Sequence, residues 1–319
     1  MKFAGIIAEY DPFHNGHAWQ LAQTKALGAE RVAVAMSCSL VQRGALPLLP
    51  EAVRTRSALT CGADLVFALP APCACAGAEA FARAGVALLA AAGCDGLVFG
   101  AETPDAALLM EAAELLDSGS YRAALKAQLA GGARSFAAAR QAAAAQLASD
   151  ERVAALLDKP NNNLAVEYCR AIRGLAPRME AYPLPRQGAN HGEALHSAHG
   201  QFASASALRK LWAEGGADAV APYVPEAVFP LYQEAYAAGQ YTDFSAAGRC
   251  ELALLRSACR GKAPFADIRG VSEGLEHRLE AAVRTSTTYD ELLDALTTVR
   301  YPRARMRRLA MDAALGCTA

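Results

Sequence analysis

The first hundred residues alternate between short unbroken apolar runs and longer stretches with helical spacing. "KFAGIIA", "RVAVAMS", "DLVFALP" and "DGLVFG" are apolar at consecutive rather than alternate positions, the pattern of strands covered on both faces. Between them "GHAWQLAQTKALGA", "PEAVRTRSALTCGA" and "AGAEAFARAGVALLAAAG" read as helices closed at Gly28, Gly62 and Gly93. Strand–helix repetition with short connections predicts an α/β fold with a Rossmann-like, doubly wound parallel sheet. Its ligand site is expected beyond the carboxyl ends of the strands. Residues 104–158 are alanine-rich and helical in period, and "NNNLAVEYCRAIRGL" starts another helix with asparagines as N-cap candidates. "RMEAYPLPRQGANHG" reads as a strand and then a loop, and "SASALRKLWAEGG" as a short helix opening on hydroxyls. From about residue 216 the pattern is helical, so an α/β domain over 1–215 and a mainly helical C-terminal region over 216–319 are expected.

Composition narrows this picture. Hydrophobic residues make up 53% of the chain and charged residues 20%, enough for a large core and too apolar for disorder. The net charge is -1, so any nucleic-acid surface must be a local patch. Nine cysteines occur without a CxxC, which fits reduced thiols better than a zinc site or a disulfide framework. The apolar start of the chain is too short for a signal peptide, and no apolar run is long enough to span a bilayer. A cytoplasmic protein with no membrane or DNA partner is expected.

The chemistry concentrates in "EYDPFHNGHAW", just behind the first strand. His14 and His17 are too few to hold a metal by themselves. Two polar loop residues would be an ordinary alternative. A third reading is a phosphate site: Pro12 ends the strand, Gly16 lets backbone approach a ligand, and a helix starting near His17 offers free N–H groups and its dipole. Two imidazoles there can donate to phosphate oxygens and stabilise charge in a nucleotidyl transfer. "VQRG" puts Gln42 and Arg43 at the same sheet edge, where Arg43 is a candidate to hold acetate or a phosphate. Arg54 and Arg56 open the next helix, one of them a candidate for the same cleft.

His-x-Gly-His after the first strand of such a sheet resembles the HxGH signature of the nucleotidyltransferase superfamily. "IIAEYDPFHNGH", "MSCSLVQRG", "GADLVFALP", "GLVFGAE", "PNNNLAVEY", "PRQGANH", "SASALRK" and "VRYPRARMRRL" follow in order. Jointly they resemble the bacterial tRNA(Met) cytidine acetate ligase family, from residue 1 to about 316. The resemblance implies an enzyme that uses ATP to turn acetate into acetyl-adenylate and then acetylates N4 of the wobble cytidine of elongator tRNA(Met).

The resemblance also implies a site. The ATP loop falls on Ile7, Ala8, Glu9, Tyr10, Asp11, Pro12, Phe13, His14, Asn15, Gly16, His17, Ala18, Trp19 and Gln20, with His14 and His17 catalytic. Gly100 and Asn162 would seat the nucleoside, with Asn161 and Asn163 as register alternatives. Arg186 and the turn of Ser204, Ser206 and Arg209 would hold phosphates. Mg²⁺ is expected with ATP, and Asp11, where family members usually have Asn, would help hold it; no dedicated metal site is expected. The dense run of Arg300, Arg303, Arg305, Arg307 and Arg308 is the candidate tRNA contact. Cys38, Ser39 and Leu40 replace a Gly-Asn-aromatic run, which bears on acetate geometry. Family members extend several tens of residues past the position of Ala319, so a truncated chain or a shortened paralogue is expected, and adenylate formation is the firmer expectation. The alternatives are a nucleotidyltransferase acting on a small phosphorylated metabolite and a non-catalytic tRNA-binding paralogue.

Overall fold

The computed structural model describes residues 1–132, 135–186, 195–197, 200–261 and 263–318. Residues 187–191, the end of "PRQGANH", lie outside the described residues.

The chain opens as β1 (Phe3–Ala8), α1 (Asn15–Ala26), β2 (Arg31–Ser37), α2 (Glu51–Thr60), β3 (Leu65–Leu69), the short α3 (Ala71–Ala74), α4 (Ala78–Ala91) and β4 (Gly96–Ala101). Five helices follow: α5 (Ala106–Asp117), α6 (Gly119–Ala130), α7 (Phe136–Leu147), α8 (Glu151–Leu156) and α9 (Pro160–Leu175). Then come β5 (Glu180–Pro185), a hairpin of β6 (Leu195–Ser197) and β7 (Gly200–Phe202), α10 (Ala205–Val220) and α11 (Phe229–Ala237). The chain ends in α12 (Phe244–Ala258), α13 (Leu275–Thr285), α14 (Tyr289–Leu296) and α15 (Arg303–Leu315).

The sheet order is β3-β2-β1-β4-β5, and every neighbouring pair is parallel. Successive connections run outward from β1 on one side, then jump to β4 on the other. The switch point is therefore the gap between β1 and β4, where open α/β sheets bind ligands. The loop after β1 and the loop after β4 both end there. The doubly wound expectation holds, because helices cover both faces. Leu89 and Val86 of α4, Leu109 of α5 and Val166 of α9 pack with Ala33, Ala35 and Leu97 on one face. Leu21, Ala58, Leu208, Trp212 and Tyr232 pack with Ile6, Val34 and Met36 on the other.

Alanine at the sheet-facing positions keeps helices close, while the larger residues fill the gaps between them. Helix α10 is broken at Gly216 (φ 67°, ψ −153°), yet Val220, Val224 and Tyr232 beyond the break still belong to the sheet's core. A separate helical core gathers Leu252, Leu279, Leu293, Leu296, Met306 and Leu309 from α12–α15. The hairpin of β6 and β7 lies beyond the loop read in the sequence, and its three-residue strands are too short to show a period. None of the helices is long and apolar enough to cross a membrane among the described residues. The nine cysteines are free thiols.

Candidate adenylation site at the switch point

Helix α1 starts at Asn15, two residues before His17, and its N-cap is His14 in an extended conformation. A histidine does here what Ser or Asp usually does: Gly16 N–H donates to His14 Nδ1 (3.0 Å). In return, His14 N–H donates to His17 Nδ1 (3.3 Å). His17 N–H and Ala18 N–H both donate to the His14 carbonyl (2.9 and 3.1 Å). The expectation of free helix-end amides for an anion is thus corrected for these three, whose N–H groups are already taken. An imidazole nitrogen that accepts a hydrogen bond carries no proton, so both neutral rings must carry it on Nε2. The box therefore converts backbone donors into two side-chain donors. The rings stack at 3.8 Å with an interplanar angle of 22°.

Burial, reinforced by Arg186, lowers the pKa of His14 to about 3. Burial, then the neighbouring His14 and Arg186, holds His17 well below its ordinary value. Both rings are neutral at physiological pH. Gly16 also has a different reason from the one read in the sequence. A Cβ there would lie 2.9 Å from His14 Cε1 and 3.0 Å from Nδ1, so only glycine lets the His14 ring fold back onto the helix start.

The rest of Ile7–Gln20 is mostly support. Tyr10, Asp11 and Phe13 are 1%, 2% and 0% exposed, and Pro12 is buried beside them. Tyr10 sits at φ 49°, edge-on to both Phe13 and His17. Tyr232 O–H donates to the Phe13 carbonyl (2.7 Å), and Gln20 reaches the Val98 carbonyl (3.3 Å). Asn15 donates to the Pro222 carbonyl (3.3 Å). Ile7, Ala8, Ala18 and Trp19 pack partly buried against the two cores.

Asp11 does not face a metal. Its Oδ1 accepts from Leu48 N–H (2.6 Å), and its Oδ2 accepts from Arg43 (2.7 Å) and Arg209 (3.2 Å). Arg43 is thereby tied to the protein's own carboxylate. Arg209 also donates to the Asp11 carbonyl (2.6 Å) and to Ser206 Oγ (2.9 Å). Burial lowers the Arg209 pKa to about 10, with Asp11 opposing, so it stays charged. Ser204 is the N-cap of α10, accepting from Ala207 N–H (3.2 Å). Beside Asp11, Glu9 accepts from Gln42 N–H (2.5 Å), and burial pushes its carboxyl up. No cluster of three or more His, Cys, Asp or Glu able to hold a metal ion occurs among the described residues.

Neither Arg54 nor Arg56 reaches the cleft. Arg56 makes a long exposed pair with Glu234 (3.7 Å). Arg54 is wholly buried and donates to the carbonyls of Leu49 (2.9 Å), Glu9 (2.7 Å), Ser37 (2.6 Å) and Cys38. One guanidinium thus ties the ends of β1 and β2 to the loop before α2.

Across the switch point, Gly100 is exposed, and a Cβ on it would meet the stem of Arg186 at 3.4 Å. Asn162 is 1% exposed and clasps Thr103, accepting from its N–H (2.9 Å) and donating to its Oγ1 (3.1 Å). The N-cap of α9 is Lys159, not an asparagine. Glu102 takes the amides of Asn161 (3.2 Å) and Asn162 (2.6 Å) at that helix start, so a carboxylate already sits at its positive end. Asn163 turns away, to the carbonyls of Leu157 and Lys159. The positioning roles of Arg54, Glu102 and Tyr232 were missed from sequence. Only the quoted "GLVFGAE" contained a hint, in Glu102.

The arginine run of α15 diverges. Arg300 pairs with Glu273 (2.6 Å), and Arg303 pairs with Asp290 (2.7 Å) and Asp294. Arg305 lies over the Tyr301 ring at 4.9 Å. Arg307 is near enough to Arg209 and Glu251 to perturb both. Arg308 donates to the Gln42 carbonyl (3.3 Å). Gly44 (φ +75°) explains that contact: a Cβ there would stand 2.6 Å from Arg308 N, so glycine lets the loop touch the α15 backbone.

The family described as HIGH Nucleotidyl Transferase matches residues 1–319. A tRNA(Met) cytidine acetate ligase of Syntrophotalea carbinolica is 36% identical over 314 residues, 98% of this chain and 73% of the relative. One from Acetivibrio thermocellus is 33% identical over 329 residues, 100% of this chain and 78% of the relative. Among solved structures, Thermotoga maritima TmcAL in its apo form superposes with a TM-score of 0.92 at 30% identity, covering 100% of this chain and 76% of that one. The same protein bound with alpha-thio ATP gives 0.89 at 29% identity, with the same coverage. With the paired histidines at the switch point and the match running the whole length, the chain belongs to the tRNA(Met) cytidine acetate ligase family of HIGH nucleotidyltransferases.

Proposed function

We propose that the chain is a cytoplasmic ligase that uses ATP to activate acetate and passes the acetyl group to N4 of the wobble cytidine of elongator tRNA(Met). The observation that supports this most is the pair of neutral imidazoles whose Nδ1 atoms are occupied by backbone, leaving two Nε2–H donors at the switch point. Charge development on an α-phosphate calls for preorganised donors rather than for a base. An acetate oxygen attacks the α-phosphorus, the bond to the bridging oxygen breaks, and its electron pair leaves with pyrophosphate. His14 and His17 donate to the non-bridging oxygens as the phosphorus becomes pentacoordinate. Acetate is already ionised, so this step needs no protein base. In the second step the cytidine amine adds to the acyl carbon, AMP leaves, and the amine loses a proton.

Arg186 acts on both histidines electrostatically and is the cation placed to meet the triphosphate. Gly100 leaves room for the adenosine against the β4 end. Asn162 serves this site at one remove, by fixing Thr103. The fully bonded Asp11 does not fit a magnesium ligand. The relatives named for tRNA(Met) extend beyond this chain's share of them, 73% and 78%. Incubation with ATP, labelled acetate and tRNA(Met) tests both steps. Acetate-dependent ATP–pyrophosphate exchange followed by labelled tRNA supports the reading. Exchange driven only by a phosphorylated metabolite overturns it.

A further inference from the structure

A cavity of about 300 Å³ lies between α15 and the segment joining α3 to α4. Arg269, Arg305, Arg308, Asp312, Cys75 and Gly77 are among the residues that line it. Charge does not balance there. Arg269 is fully engaged: it donates to both oxygens of Asp312 (3.0 and 2.6 Å) and to the carbonyls of Pro72 and Cys75. That pair is neutral. Arg305 has the Tyr301 ring, and Arg308 has one long hydrogen bond to Gln42. Neither makes an ion pair among the described residues, whereas Arg300 and Arg303 at the start of the same run both do. Two guanidiniums without a carboxylate therefore share one cavity. Burial, opposed by Asp312 but aided by the like charges of Arg305 and Arg269, holds Arg308 below its ordinary pKa. A partner anion would remove that cost.

We propose that Arg305 and Arg308 grip a backbone phosphate of the RNA substrate, close to the nucleotide whose base enters the cleft. Guanidinium forks match the oxygens of a phosphodiester in a way a single carbonyl cannot. The location fits a running strand: Arg308 donates to the Gln42 carbonyl, and the Gln42 amide is held by Glu9 just after β1, so a short chain of hydrogen bonds links the cavity to the loop that carries the histidines. This inference rests on the ligase reading and sharpens where its RNA binds. The five arginines of the run do not act alike: Arg300 and Arg303 have acidic partners, and of the other three only Arg305 and Arg308 line this cavity.

The test measures binding of tRNA(Met) to the full chain between about 50 and 300 mM KCl, for wild type, R305Q, R308Q and the double variant. Each lost phosphate contact should lower the salt slope of log K by about 0.7–0.9. The double variant should bind roughly tenfold or more weakly at physiological salt, and R305K should recover part of the loss. Acetate-dependent pyrophosphate exchange, which involves no RNA, should stay within about twofold in R305Q. If R308Q proves misfolded because it supports the Gln42 loop, R305Q and R305E carry the test alone. Unchanged affinity and slope in the Arg305 variants overturn the proposal. So does a site that binds inorganic pyrophosphate and loses it in R305Q while tRNA affinity is untouched, which would mark a free-anion site. Wild type without acetate-dependent exchange would instead sink the ligase reading, leaving the salt slopes to judge the phosphate grip separately.

Discussion

The starts of α1 and α15 carry the paired histidines and the arginine run, and they use them in opposite ways. At α1 both histidines turn Nδ1 to backbone within four residues of themselves, and burial keeps both neutral. They work as dipolar donors with fixed direction. At α15 the arginines keep their charge, and their partners come from far along the chain: Glu273, Asp290, Asp294 and Gln42. One end is organised by local geometry, the other by tertiary neighbours. A neutral donor pair suits a reacting phosphate, where direction matters most. Charged forks suit a phosphate that is only held.

The largest effect expected from breaking the first arrangement is on catalysis. His17→Ala removes one Nε2–H donor and the acceptor for the His14 amide. Acetate-dependent exchange should fall by about 10²–10³, the usual cost of one lost transition-state donor. Its thermal midpoint should stay near that of wild type, because the half-buried ring makes one long hydrogen bond and otherwise ring contacts with His14, Tyr10 and Phe13. His17→Ala with full exchange activity would remove the histidine from the mechanism.

Arg54→Ala strikes the frame behind that pair. Four backbone carbonyls lose their donor in a wholly buried place. With each orphaned group costing about 1–3 kcal/mol and some repair by water, a loss near 3 kcal/mol is expected in urea unfolding. A loss under about 0.5 kcal/mol, the range of ordinary surface substitutions, would show that the guanidinium is not the tie between β1 and β2.

Gly16→Ala tests the local box with one methyl group. The added Cβ meets His14 at 2.9 Å, so the ring must swing away from the Gly16 amide. Exchange should drop about tenfold to a hundredfold with little loss of stability, as expected when a positioned donor moves by about an ångström. Full activity in this variant would mean that His14 keeps its place by other contacts.

The smallest effect belongs to the other region. Arg303→Gln removes exposed pairs to Asp290 and Asp294, so stability should change by less than about 0.5 kcal/mol. Binding of tRNA should change far less than in R305Q. Equal losses in the two variants would show that the run acts as an undivided patch.

These contrasts also explain what could be read from the chain beforehand. The four apolar runs and their helical spacers predicted the parallel sheet, since buried parallel strands and amphipathic helices differ in period. His14, Gly16 and His17 stood out because their geometry is encoded within one helical turn. The reasons behind them did not: the box of imidazoles and the collision at Gly16 need coordinates. Asp11 looked like a metal helper because nothing in the sequence places Arg43, Arg209 and Leu48 around it. Arg54 looked like a cleft residue for the same reason. The arginines around Tyr301 read as one patch because their acids lie up to 27 residues away, as Glu273 does from Arg300, and nothing local marks the pairing.

The central claim, a histidine pair held neutral with both protons on Nε2, is tested most directly by imidazole ¹⁵N spectra of the folded chain recorded from pH 8 to 5. The depressed pKa of each ring means that protons enter the unfolded chain first below its ordinary value of about 6.5, so stability falls with acid while the folded rings stay uncharged. The spectra should show both rings as the neutral Nε2–H tautomer across that range, with no titration near 6.5. A ring that titrates near 6.5, or that carries its proton on Nδ1, would contradict the account.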